Sequence, residues 1–185
     1  MRISQQTHRA SLLTANAAVI GRIRDTLAGV GPDAMSRRPA SGGWSVAEVL
    51  EHLIVSADSY LEPMRALIEG NAGGAVNSSA TWKPSLMGGM LAASLRGTRK
   101  LPAPKSYKPG PAPRPLVLEE FLRRQEEAGR LITEAGGMDW GRVRVRSPVA
   151  PILRMNLGDA LTILVVHAER HAGQIERVLK AVDIR

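Results

Sequence analysis

Apolar positions recur every three or four residues through four long stretches of this chain, and local start and stop signals bound each stretch. The first covers about Ser4 to Ala28, with Leu12, Leu13, Val19, Ile20, Ile23 and Leu27 on one side and Gly29-Val30-Gly31-Pro32 ending the pattern. The second opens on Ser45-Val46-Ala47-Glu48, a capping box in which the serine hydroxyl takes an orphan amide and the glutamate reaches back. Its stripe is Val46, Val49, Leu50, Leu53, Ile54, Leu61, Met64, Leu67 and Ile68, ending by Gly70, and Pro63 within it predicts a kink or break near Ser59 to Glu62. The third stretch, about Val117 to Ala135, carries Leu118, Phe121, Leu122, Leu131 and Ile132 and stops at Gly136-Gly137. The fourth, about Asn156 to Val182, carries Leu157, Leu161, Leu164, Val165, Ala168, Ile175, Val178, Leu179 and Val182. Helices of this length would span about 28–40 Å, which predicts an all-α four-helix bundle.

Between the second and third helices lies a long Pro/Gly-rich insertion, about 70–116, which permits a crossover connection. Within it, Ser85 to Leu95 predicts a short helix whose Met87, Met90, Leu91 and Leu95 form a core stripe, and Leu101 to Pro115 reads as extended. Arg142 to Arg146 alternates like a strand, with no evident partner. There is no internal repeat, and residues 1–185 fit one domain by size.

Composition narrows the chemistry. At 44% hydrophobic and 23% charged residues the chain resembles an ordinary globular protein, and with only 3% aromatics its core must come from aliphatic side chains and Met. There is no cysteine, which removes disulfides, thiolate metal sites and a cysteine nucleophile together. The longest apolar run, Ala160 to Val166, is far short of a membrane span. Arg2 and Arg9 precede a mildly apolar stretch, Ala10 to Ile20, but Ser11, Thr14 and Asn16 dilute it and the helical pattern continues to Leu27. It reads as the first helix rather than a leader, and the protein is expected to be cytoplasmic.

The net charge of +8 is local in origin. Between Gly70 and Leu118 there is no Asp or Glu, while Lys83, Arg96, Arg99, Lys100, Lys105, Lys108 and Arg114 supply bases. Three readings suit this segment: a lid attracting an anionic substrate, a nucleic-acid contact, or a solvated loop. Tyr107 and Trp82 are its only aromatics and no groove-reading motif is present, which argues against nucleic acid.

Two of the four histidines sit together in His167-Ala168-Glu169-Arg170-His171. Positions four apart on a helix differ by about 40° in azimuth, so both imidazoles can converge on one metal ion. The pair is a weak signal alone. Glu169 lies about 200° from His167, so this is not the zincin arrangement, in which a glutamate activates metal-bound water. A third ligand would come from another helix: His52 is the candidate, and periodicity describes a half-buried boundary histidine there equally well. His8 reads as a surface residue.

Two motifs carry a resemblance. Trp44-Ser45-x-x-Glu48-x-Leu50-x-His52-Leu53 resembles the second-helix signature of the DinB-like superfamily of helical-bundle proteins. Gly158-Asp159-Ala160-Leu161, followed by His167-x-x-x-His171-x-x-Gln174-Ile175, resembles its last-helix signature. The resemblance implies a three-histidine site of His52, His167 and His171 holding one divalent metal ion. It also implies kinship with metal-dependent transferases that use low-molecular-weight thiols such as bacillithiol or mycothiol, and with a thiol-dependent maleylpyruvate isomerase. It is compatible with a homodimer. The family's connection between these helices is usually shorter than the segment here.

Three neutral imidazoles leave a divalent ion its full charge and open positions, so that it lowers the pKa of water or a thiol. The ligands suit Zn, Ni, Fe or Mn. Gln174 follows His171 by about one turn, as a hydrogen-bond partner of the site or a packing residue. Glu48, four before His52, is a candidate base or acceptor, although its capping role already explains it. Asp159 reads as a first-turn residue favoured by the helix dipole, and Trp44 as a hydrophobic staple or a wall of the cleft. The function expected is thiol transfer to an electrophilic small molecule, or a related metal-assisted hydrolysis or isomerisation. The alternatives are a non-catalytic metal or small-ligand binding bundle and a basic nucleic-acid-associated protein.

Overall fold

The computed structural model describes residues 3–70, 81–97, 99, 102–148 and 154–183. Arg2, Lys100, Leu101 and the stretch 71–80 lie outside the described residues. The protein is mostly helical: α1 (Gln5–Leu27), α2 (Pro32–Ser36), α3 (Val46–Gly70), α4 (Leu86–Arg96), α5 (Val117–Glu134) and α6 (Leu157–Ala181). Among the described residues no helix is long and apolar enough to cross a membrane.

The predicted caps set the helix starts. Ser45 N–H donates to Glu48 Oε2 at 2.9 Å and Glu48 N–H to Ser45 Oγ at 3.2 Å, closing the capping box of α3. Asn156 and Asp159 form a second box at α6. α3 continues through Pro63 as one helix. Burial of Tyr60, Leu61, Met64 and Ile68 around the proline outweighs the one backbone hydrogen bond that it removes.

α1 packs on α5 and α6, and α3 packs on the same two helices. Cross-helix pairs give their directions. His8–Thr162 and Arg22–Glu176 run in step, so α1 and α6 are parallel. Asp58–Arg124 and Arg65–Glu127 likewise make α3 and α5 parallel. Asn16–Gln125 and Arg9–Thr133 run out of step, so α1 opposes α5. Since α3 and α5 point the same way, the chain between them must travel back along the helices, which explains the length of that connection.

The connection is more integrated than its composition predicts. Trp82, Ala92, Leu95 and Tyr107 are buried, and α4 packs along α6. Its buried face is Gly88, Ala92 and Leu95, whereas Met87 and Met90 of the expected stripe are exposed. Gly88 has a physical reason: a Cβ there would run into the carboxylate of Asp159, which accepts from Ser85 N–H at 3.1 Å. Two helix starts thus share one carboxylate. Gly158 similarly leaves room for the indole of Trp82.

The alternating stretch after α5 does find a partner. β3 (Arg144–Arg146) pairs antiparallel with β4 (Arg154–Asn156), Val145 opposite Met155. The partner is three residues long and merges with the cap of α6, so it has no alternation of its own to read. β1 (Ile3–Ser4) pairs with β2 (Thr81–Trp82).

The core has two apolar halves. One contains Leu12, Ala57, Ala128 and Val166; the other contains Val19, Ile54, Phe121 and Ala168. Between them, each long helix places a polar residue: Asn16, Ser56, Gln125 and His167. The candidate site sits against this polar layer.

Candidate metal centre

The two caps fix the register of α3 and α6, and antiparallel packing brings His52 of α3 level with His167 and His171 of α6. The three histidines each offer one ring nitrogen, and these atoms lie within 4.8 Å of one another. His52 and His171 are buried and His167 is partly exposed. His52 Nε2 and His167 Nε2 are 3.2 Å apart. A tetrahedral ion with bonds of about 2.0–2.1 Å sets neighbouring nitrogens about 3.3 Å apart, so the spacing suits a metal.

The far side of each ring fixes which nitrogen carries its proton. His52 Nδ1 lies 2.7 Å from the carbonyl of Tyr107, which can only accept. His171 Nδ1 lies 2.7 Å from Gln174 Oε1, also an acceptor. Ser56 Oγ donates to the carbonyl of His52 at 2.8 Å, which leaves its oxygen to accept from His167 Nδ1 at 3.4 Å. His52 and His171 therefore carry their protons on Nδ1, the contact with Ser56 favours the same tautomer at His167, and each ring offers one nitrogen to the group. The donor set fits a divalent ion.

Electrostatics agrees. Burial lowers the pKa of His52, against the pull of the Tyr107 carbonyl. His171 is lowered to about 3, first by burial and then by His52. Burial, with His171, His52 and Arg170 nearby, holds His167 well below its ordinary value. All three are neutral at pH 7, the form that ligates metal.

Around this triad, the Trp44 ring lies 4.9 Å from that of His52 and walls one side. Gln174 reaches the site through His171. Glu48 is not brought into the histidine group: its carboxylate accepts from Ser45 N–H and from the Arg38 guanidinium. Burial alone would raise its pKa, but these partners outweigh it and hold the carboxyl below the usual range. Asp159 serves the caps of α4 and α6, and burial raises its pKa against those hydrogen bonds.

Four participants are absent from the sequence-based set of site residues. Tyr107 acts through its backbone carbonyl, which leaves no trace in residue type. Ser56 was within reach, since it lies four residues after His52 as a polar position in an apolar stripe. Arg114 and Glu51 form a bidentate ion pair beside the site that spacing alone does not announce.

His8 departs from expectation. It stacks on Trp82 with ring centroids 4.9 Å apart and bonds through Nε2 to Thr162 Oγ1 at 2.9 Å. Pairing of β1 with β2 ties the N-terminus down and sets His8 against Trp82.

A family profile described as the DinB superfamily matches residues 16–175. No curated protein and no solved structure matches the chain.

Proposed function

The chain belongs to the DinB superfamily, and from that premise we propose that it is an enzyme using one divalent ion held by His52, His167 and His171. The observation that carries the proposal is the convergence of three histidine ring nitrogens within 4.8 Å of one another, with an oxygen facing the Nδ1 of each ring. Zn, Ni, Fe and Mn all suit an imidazole set. Bound there, the ion supplies Lewis-acid activation of a thiol or water near neutral pH.

The proposed reaction is transfer of a low-molecular-weight thiol to an electrophilic small molecule. Since the chain has no cysteine, the thiol arrives as a cosubstrate. Trp44 gives one wall against which an apolar substrate would lie. Gln174 holds the His171 ring in orientation, and Glu48 holds the start of α3, hence the height of His52. Exposed Lys83, Arg96, Lys105 and Lys108 favour an anionic substrate. We read the four long helices as a four-helix bundle within one domain, with 70–116 as an insertion and crossover; the parallel pairing of α3 and α5 supports this.

The test is metal content by mass spectrometry on untagged protein purified without added metal, with His52→Ala and His167→Ala beside wild type. About one equivalent in wild type, lost in both variants, is expected, since each ligand contributes a large share of the site's affinity. Thiol consumption with a panel of electrophiles then follows. Metal retained without thiol consumption would leave a metal-binding bundle. No metal and no uptake on titration would end the metalloenzyme reading.

A further inference from the structure

We propose that residues 102–116 are a positioning strap for the His52 ligand, so that docking of this segment and occupancy of the metal site strengthen each other. The inference rests on the metal-centre reading above. It comes from the way an otherwise exposed, proline-rich stretch is fastened to α3.

Pro102, Pro104, Pro109, Pro111, Pro113 and Pro115 interrupt the backbone donors of the segment, and beyond one short turn at Lys105–Tyr107 it forms no helix or strand. Contacts with α3, from two side chains and one backbone carbonyl, hold it instead. Tyr107 is its only buried residue. The Tyr107 hydroxyl meets Ser59 Oγ at 2.9 Å while its carbonyl takes His52 Nδ1 at 2.7 Å. His52 and Ser59 are seven positions apart on α3, on one face, so a single residue of the strap grips two successive turns of that face. Arg114 makes the second fastening. Its Nη2 and Nε donate to Glu51 Oε1 and Oε2 at 2.8 and 2.9 Å. Glu51 is only 7% exposed, and its neighbour in sequence is His52, about 100° round the helix. The strap therefore wraps α3 at the level of the ligand and fastens on both sides of it.

Two consequences follow from the chemistry. With the strap undocked, His52 Nδ1 has lost its acceptor, and the ring is free to rotate and to place its proton on Nε2, the atom that must ligate. Loss of such an outer partner typically weakens metal binding by about 10–100-fold. By linkage, metal binding must hold the strap down by the same factor. The prolines favour this device, because a stiff segment loses less entropy on docking.

Zinc affinity of the full-length protein, by competition with a chromogenic chelator, tests the proposal on Arg114→Met and on the Glu51→Gln/Arg114→Met double variant. The double variant leaves no buried carboxylate unpaired, so it decides the matter should the single variant fail to fold. Arg22→Met, which breaks the exposed pair with Glu176, is the control. The expected result is zinc bound about 10–100-fold more weakly by the strap variants and unchanged in the control, with Arg114→Lys recovering part of the loss. A second readout is tryptic cleavage after Lys105, which is exposed; proline follows Lys108 and Arg114 and blocks the other bonds within the segment. Zinc should slow that cleavage in wild type and slow it less in Arg114→Met. Folded strap variants that bind zinc as tightly as wild type, or cleavage that zinc does not alter, would overturn the strap while leaving the metal centre standing. A wild-type protein that takes up no zinc would instead bring down both.

Discussion

The four histidines occupy two contrasting environments. At one, His8 lies against Trp82 and gives its Nε2–H to Thr162, whose own hydroxyl donates to the Gly158 carbonyl. At the other, the Nδ1 atoms of His52, His167 and His171 face Tyr107, Ser56 and Gln174, and the three rings converge, with His52 Nε2 3.2 Å from His167 Nε2. Both environments are at least half buried, and burial lowers the pKa in both. What separates them is whether Nε2 meets an acceptor or another lone pair. Burial makes a histidine neutral; only the partner geometry makes it a ligand.

The largest expected effect tests that difference directly. His171→Ala should abolish stoichiometric zinc binding, whereas His8→Ala should leave it at about one equivalent, read by metal analysis after gel filtration. Zinc loss in the His8 variant would erase the distinction.

Next in size is the aromatic cluster itself. Trp82 is 3% exposed, and its indole N–H donates to Asn156 Oδ1 at 2.9 Å. Trp82→Ala should lower unfolding free energy by about 3–5 kcal/mol in urea melts, while zinc affinity in the folded protein stays put. A matching loss of zinc affinity would mean that the two regions are coupled through α6. Smaller again is Gln174→Leu, which removes the acceptor of His171 without removing a ligand. It should weaken zinc binding by about 10–100-fold and barely move the stability of the metal-free protein.

The smallest effect is pH-linked. For His8, burial first and Arg96 second lower the pKa from 6.5. The unfolded chain takes up that proton near 6.5 and the folded chain only at lower pH, so the unfolded state binds more protons in between and stability falls as pH drops. The same sign holds for His171, whose window runs from 6.5 down to about 3. Metal-free protein should therefore lose stability on acidification below 6.5. His8→Gln should remove only the part due to one histidine, measured as the change in urea midpoint between pH 7 and pH 5.

The sequence is most legible where the determinant is local. Ser45 and Glu48 announce the start of α3 because a capping box is satisfied within four residues, and the stripe of α6 is readable because burial repeats with the helical turn. The pairing of His167 with His171 follows from the same periodicity, and the motif resemblance names His52 as the third member. The proline at 63 misleads for a complementary reason: its local preference yields to the burial of neighbours that only packing supplies.

Everything that joins distant parts of the chain had to wait for the tertiary structure. Parallel packing of α3 and α5 and the seating of Tyr107 and Arg114 on α3 depend on contacts between residues far apart in sequence. So does the state of the site. Residue type determines that an imidazole has two nitrogens; the oxygen that faces Nδ1 determines which of them is free. At His52 that oxygen is a backbone carbonyl delivered from 55 positions away, and every residue in a chain has one, so no reading of side chains could have pointed to it.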